Sequence, residues 1–223
     1  MPKIGVILSG CGVKDGSEIH EAALLLLAID KAGAQAVCFA PDKDQADVVD
    51  HLAGRPGREK RNVLVESARV ARGEIRDLRE AQVAELDAVI LPGGFGAAKN
   101  LSSFAEEGAQ CQVDPEVARV LRGMRGAGKP IGAACIAPVV LARLFGGDKP
   151  LVTIGSDPGT ARAIEAMGAR HQDAPVTGVV VDPELKLATT PCYMLATRIS
   201  QVAEGMEALV KAVLDMVGAP ARR

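Results

Sequence analysis

The sequence predicts an α/β protein: a mostly parallel sheet with helices on both faces and a small hairpin. Three observations carry this. Short apolar runs of strand length recur at residues 3–8, 34–40 and 87–91 and in the first part of 129–138. Segments long enough for helices separate them, which parallel pairing requires. Glycine-rich loops follow the runs, at Gly10-Cys11-Gly12 and at Pro92-Gly93-Gly94.

Residues 3–8 form the first strand, and the loop from Gly10 to Ser17 leads into a helix over 18–32 whose buried face is expected to be Ile19, Ala22, Ala23, Leu26 and Ile29. A second strand, 34–40, ends at Pro41-Asp42. Residues 44–52 are expected to make a helical turn or two, the charged stretch 53–61 an exposed excursion, and 62–71 a helix. The strand 87–91 runs into Pro92-Gly93-Gly94-Phe95-Gly96. A helix over 114–126 carries Pro115 near its start, where its missing N–H is harmless. The stretch 129–138 begins as a buried strand and ends at Pro138, which opens another helix. There follow a strand at 151–154, a helix at 157–168, a hairpin of 179–182 against 185–189, and a closing helix over 198–217.

At 223 residues the chain suits one domain spanning 1–223. The longest apolar run, residues 22–29, is far too short to cross a bilayer, and the N-terminus lacks a signal-peptide layout, so a cytosolic protein with no membrane partner is expected. A net charge of −2 and 2% aromatic residues argue against nucleic acid as a partner. Five cysteines without C-x-x-C spacing suggest neither a disulfide framework nor a metal site. The dinucleotide fingerprint and the P-loop both fail at single positions: a third glycine is lacking, and Pro130 follows Gly128-Lys129.

In parallel sheets ligands bind beyond the carboxyl ends of the strands, which here are the loop 9–17, the loop 92–100 and the bend at Cys135. A thiol between a strand and a helix faces free N–H groups and the positive end of the helix dipole, which favour a thiolate. Taken alone, such a cysteine is more often a small buried hydrophobe; the convergence of three loops favours a nucleophile. Glu18 is the candidate carboxyl partner, partly protonated by burial and able to shuttle a proton; its alternative is an acid in the first helical turn, stabilised by the dipole or closing a capping box begun by Asp15. Gly93 and Gly94 offer consecutive N–H groups to an oxyanion. Cys11 is a secondary candidate for the pocket lining. His20 is a weaker one, because it points about 200° around the helix from Glu18.

The runs Lys3-Ile-Gly-Val-Ile-Leu-Ser-Gly-Cys-Gly-Val, Asp15-Gly-Ser-Glu-Ile-His-Glu21, Pro92-Gly-Gly-Phe-Gly-Ala-Ala-Lys-Asn100 and Ala134-Cys-Ile-Ala-Pro138 resemble the ElbB-type isoprenoid-biosynthesis glyoxalases. These belong to the class I glutamine-amidotransferase-like superfamily, with the Parkinsonism-associated deglycase and the PfpI-type proteases. The resemblance implies a flavodoxin-like three-layer sandwich, a homodimer, Cys135 as nucleophile, Glu18 as its carboxyl partner, and an oxyanion site near Gly94 and Ile136. The glutamine amidotransferases carry a His and a Glu late in the chain, where residues 189–194 here have neither. The proteases place His directly after the nucleophile, where this chain has Ile136. Without an evident base, expulsion of an amine is disfavoured, whereas a thiolate adds to an aldehyde with no leaving group. The expected activity is conversion of glyoxal, or a similar small 2-oxoaldehyde, to the 2-hydroxy acid, with no cofactor, metal, glutathione or nucleotide. The other expectation is a redox-sensing or regulatory protein of isoprenoid metabolism in which Cys135 is the oxidised group.

Overall fold

A computed structural model describes residues 1–218. In chain order it contains β1 (Lys3–Ile7), α1 (Ile19–Lys31), β2 (Gln35–Ala40), β3 (Val49–Asp50), β4 (Arg55–Pro56), α2 (Val63–Val70), β5 (Ile75–Asp77), β6 (Ala88–Leu91), α3 (Phe95–Lys99) and α4 (Phe104–Glu107). There follow α5 (Pro115–Gly126), β7 (Ile131–Ala134), α6 (Pro138–Phe145), β8 (Leu151–Val152), α7 (Pro158–Ala166), β9 (Arg170–His171), β10 (Val180–Asp182), β11 (Leu187–Thr190) and α8 (Ile199–Met216). Caps set several helix starts: the side chains of Asn62, Asp114 and Asp157 accept N–H groups of the first turns of α2, α5 and α7.

The fold is a flavodoxin-like α/β sandwich. Its central sheet runs β10-β11-β7-β6-β1-β2-β5, parallel throughout except for the β10–β11 hairpin at one edge. Two apolar layers cover the sheet. One packs α5 and α6 on it through Val117, Leu121, Met124, Val140 and Leu141; the other packs α1 and α8 through Leu25, Ile29, Met206 and Val210. Strands β6 and β7 are buried at every position, as befits strands covered on both faces.

Three expectations are corrected. Residues 44–52 are not helical: Val49 and Asp50 pair with Arg55 and Pro56 in a two-stranded hairpin, so the exposed stretch 53–61 supplies one of its strands. The predicted strand at 151–154 is shorter and leaves the main sheet, pairing β8 with β9. The inner face of α1 is Glu21, Ala22, Leu25, Ala28 and Ile29, with Ile19 48% exposed. That turns the helix so that a carboxylate, not Ile19, faces the sheet.

Candidate active site

The loops after β1, β6 and β7 meet at one place, held by main-chain bonds. Gly96 N–H donates to Gly16 O at 2.9 Å and Phe95 N–H to Val13 O at 2.8 Å. The Asn100 side-chain amide donates to Ser9 O and Asp15 O, both at 2.8 Å. Cys135 stands on the bend from β7 to α6 with φ +59°, a left-handed conformation uncommon outside glycine, and its N–H donates to Thr190 O at 2.9 Å. The bend leaves it 8% exposed.

The carboxyl group beside the Cys135 thiol is that of Glu21. It is fully buried, hydrogen-bonded to the thiol, and accepts Gly93 N–H at 2.9 Å on Oε2 and Tyr193 N–H at 3.0 Å on Oε1. Burial pushes Glu21 up to about 7, against those N–H bonds, which pull the other way. Burial and the charge of Glu21 push the Cys135 thiol well above its ordinary value, opposed by an N–H bond from Gly94. The expected dipole-stabilised thiolate is therefore overridden: desolvation beside a carboxylate outweighs one helix end. Two acids in contact and out of water do not both ionise, so the pair keeps at least one proton at neutral pH and can pass it between oxygen and sulfur.

Glu18, the expected partner, stands one position ahead of the first helical turn and fills neither role expected of it. It is the N-cap of α1, its Oε2 accepting Glu21 N–H at 2.6 Å, and its Oε1 lies 4.0 Å from His20 Nδ1. One turn of helix separates the two acids, and the turn of α1 decides which reaches the thiol.

The Gly93 N–H is committed to Glu21, so the oxyanion role expected of it is not open to that group. What Gly93 supplies is room: a Cβ there would overlap the Cys135 Cβ and lie 2.5 Å from Glu21 Oε2. Gly94, at φ +97°, lines the cavity with Ile136 and directs its N–H at the sulfur. Cys11 does not line this cavity; it is half-buried near Glu66 and Arg69. His20 is brought closer than its helical position suggested, because Tyr193 crosses to it: His20 Nδ1 and Tyr193 Oη are 2.8 Å apart.

The cavity above the thiol holds about 530 Å³, walled by Val13, Phe95, Phe104, Ile136, Tyr193 and Met194. Asp157 and Thr160 add polar groups. The Thr160 N–H and hydroxyl hold Asp157 below the usual carboxylate range, so it adds a negative charge to the lining. Sequence reasoning missed Glu21 and Tyr193. Glu21 opens the stripe Ala22, Leu25, Ile29, but residues 22–29 are apolar all round and nothing in the sequence selects that stripe over its neighbour. For Tyr193 there was no signal beyond its place after the last strand.

No protein-family model matches the chain. It is 47% identical over 226 residues to the ES1 protein homolog, mitochondrial, of Rattus norvegicus, a match covering 97% of this chain and 84% of that protein. A match of the same identity and coverage is found to glutamine amidotransferase-like class 1 domain-containing protein 3, mitochondrial, of Homo sapiens. The chain belongs to the ES1 family of glutamine amidotransferase-like class 1 proteins. Among solved structures, the isoprenoid biosynthesis protein with amidotransferase-like domain from Ehrlichia chaffeensis superposes with a TM-score of 0.89 at 37% identity, over 96% of this chain and 99% of that one. Drosophila melanogaster DJ-1beta shares the fold, with a TM-score of 0.54 at 19% identity over 96% of this chain and 95% of its own. Both ES1-family relatives are named mitochondrial, a location other than the cytosolic one expected from the sequence. No helix among the described residues is long and apolar enough to cross a membrane.

Proposed function

We propose that this ES1-family protein is a cofactor-independent glyoxalase, converting glyoxal or a related small 2-oxoaldehyde and water to the 2-hydroxy acid, glycolate in the case of glyoxal. The observation that carries the reading is the hydrogen bond from buried Glu21 to Cys135, which lines an apolar cavity. The ionised carboxyl takes the thiol proton as sulfur adds to one aldehyde carbon, so a thiol with a high pKa is no obstacle. The oxyanion of the hemithioacetal lies against the N–H groups of Gly94 and Ile136. Glu21 hands the thiol proton to that oxyanion, giving the hemithioacetal hydroxyl, and, ionised again, removes the proton from the first carbon and returns it to the second. The resulting thioester is hydrolysed by water, which restores the thiol.

A peroxide sensor works through a standing thiolate, and burial beside Glu21 holds this thiol protonated, which favours the enzyme over the sensor. The reading keeps the homodimer that the resemblance implies, to be tested by sedimentation. The test of the activity is direct quantification of glycolate from glyoxal. Wild type and Cys11→Ser should both form it and Cys135→Ser should not; equal yields from Cys135→Ser and wild type would refute the reading.

A further inference from the structure

The glyoxalase chemistry leaves one need unmet. Glu21 moves a proton between carbons, but the enediol also requires a proton on the second oxygen and loss of one from the first. Among the groups lining the cavity, Asp157 is held ionised and Thr160 has a weakly acidic hydroxyl. Tyr193 differs from both. It lines the same cavity as Cys135, its main-chain N–H binds Glu21 at 3.0 Å, and its hydroxyl is 2.8 Å from His20 Nδ1. The His20 ring also packs on the Tyr193 ring, with centroids 5.9 Å apart, and its side chain is 52% exposed.

We propose that Tyr193 is a catalytic residue that carries a proton between the two substrate oxygens, and that His20 is the positioning residue that orients its hydroxyl. This rests on the glyoxalase reading above. With the proton of His20 on Nδ1, the imidazole donates to Tyr193 Oη and leaves the phenol O–H free to turn into the cavity.

The step balances without any external reagent. Glu21 carboxylate removes the hydrogen on the sulfur-bearing carbon, and the electron pair moves to make the carbon–carbon double bond while the C=O π bond of the second carbon breaks. The oxygen so charged takes the Tyr193 proton. Glu21 then protonates the second carbon, the first carbon's hydroxyl returns its proton to the Tyr193 phenolate, and its C=O forms. The product is the thioester with both side chains in their starting states. Burial and the nearby Glu18 and Glu21 raise Tyr193, which keeps it in the donor form between turnovers.

The residue after the nucleophile is Ile136, which carries no proton, and Tyr193 enters the cavity of the thiol from the loop after β11. That placement accounts for a phenol and an imidazole joined by a 2.8 Å hydrogen bond, with His20 exposed and Tyr193 half-buried.

The experiment compares wild type, Tyr193→Phe, His20→Ala and His20→Asn with glyoxal, reading glycolate formation for kcat and KM and, separately, the extent to which glyoxal protects Cys135 from alkylation. Tyr193→Phe should lower kcat about 100-fold with KM within about threefold of wild type, while protection of Cys135 is unchanged, because the adduct forms and stalls. His20→Ala should lower kcat about tenfold, and His20→Asn, whose amide N–H stands near the Nδ1 position, should recover most of that loss. A glycolate rate for Tyr193→Phe within twofold of wild type overturns the Tyr193 proposal and leaves the glyoxalase reading intact. Loss of Cys135 protection together with kcat would make Tyr193 a binding group and also overturn it. Absence of glycolate from wild type overturns both.

Discussion

Glu21, on the helix after β1, and Cys135, on the bend after β7, share a hydrogen bond across the intervening strand β6, with Glu21 fully buried. Both Glu21 oxygens also accept main-chain N–H groups, from Gly93 and Tyr193. Three loops therefore hold one carboxyl, and its protonation is tied to the whole site.

Stability should carry the signature of this burial. The folded value of about 7 lies above the ordinary 4.5, so the contribution of Glu21 is fully present below about pH 4.5 and is lost as pH rises through 7. A gap of that size corresponds to ~3 kcal/mol. Urea unfolding of wild type and Glu21→Gln at pH 5 and pH 8 should show the wild type losing more on going to pH 8 than the variant. The same loss in both proteins would mean that Glu21 titrates as an exposed acid does.

Room at Gly93 is a condition of the site. Gly93→Ala puts a methyl into the space of Cys135 and Glu21 and should abolish glycolate formation, with a fall in thermal midpoint. Gly128→Ala is the control: at φ +64° with nothing within 4 Å of the added Cβ, it should cost only about 1 kcal/mol and leave the rate unchanged. Undiminished turnover by Gly93→Ala would place the thiol elsewhere.

The cavity of about 530 Å³ is far larger than glyoxal, and most of its lining is apolar or aromatic. Burying a phenyl group there is worth ~2 kcal/mol, so kcat/KM for phenylglyoxal should exceed that for glyoxal by at least about tenfold. Phe104→Ala should reduce this preference while leaving glyoxal turnover near its starting value. Equal kcat/KM for the two aldehydes in the wild type would show that the apolar walls do not hold the substrate.

The place of the site was legible because topology dictates it: carboxyl-end loops of parallel strands converge whatever their sequence, so Ser9–Ser17, Pro92–Asn100 and Cys135 were bound to meet. The identity of the carboxyl was not. From Ala22 to Ile29 every residue of α1 is apolar, and a helix apolar all round has a period but no phase, so the stripe through Ile19, Ala23 and Leu26 read as well as the one through Leu25 and Ala28. Only packing against α8 and the sheet selects the second, and with it Glu21. The edge strand Ile75–Asp77 escaped for another reason: three residues are too few to show alternation. The hairpin at Val49–Asp50 was hidden because its pairing is short and its sequence polar; what fixes it is Asp15, whose Oδ2 accepts Val49 N–H at 2.7 Å from another loop.

The most direct test is the rate of glycolate formation from glyoxal by Glu21→Gln and Glu18→Gln side by side. Glu21→Gln should reduce kcat by at least about 100-fold, since the group that moves the proton is gone. Glu18→Gln keeps an oxygen to cap α1 and should retain most of the rate, with a stability loss of about 1 kcal/mol or less. The reverse result, with Glu18→Gln inactive and Glu21→Gln turning over normally, would contradict the assignment of Glu21 as the carboxyl partner of Cys135.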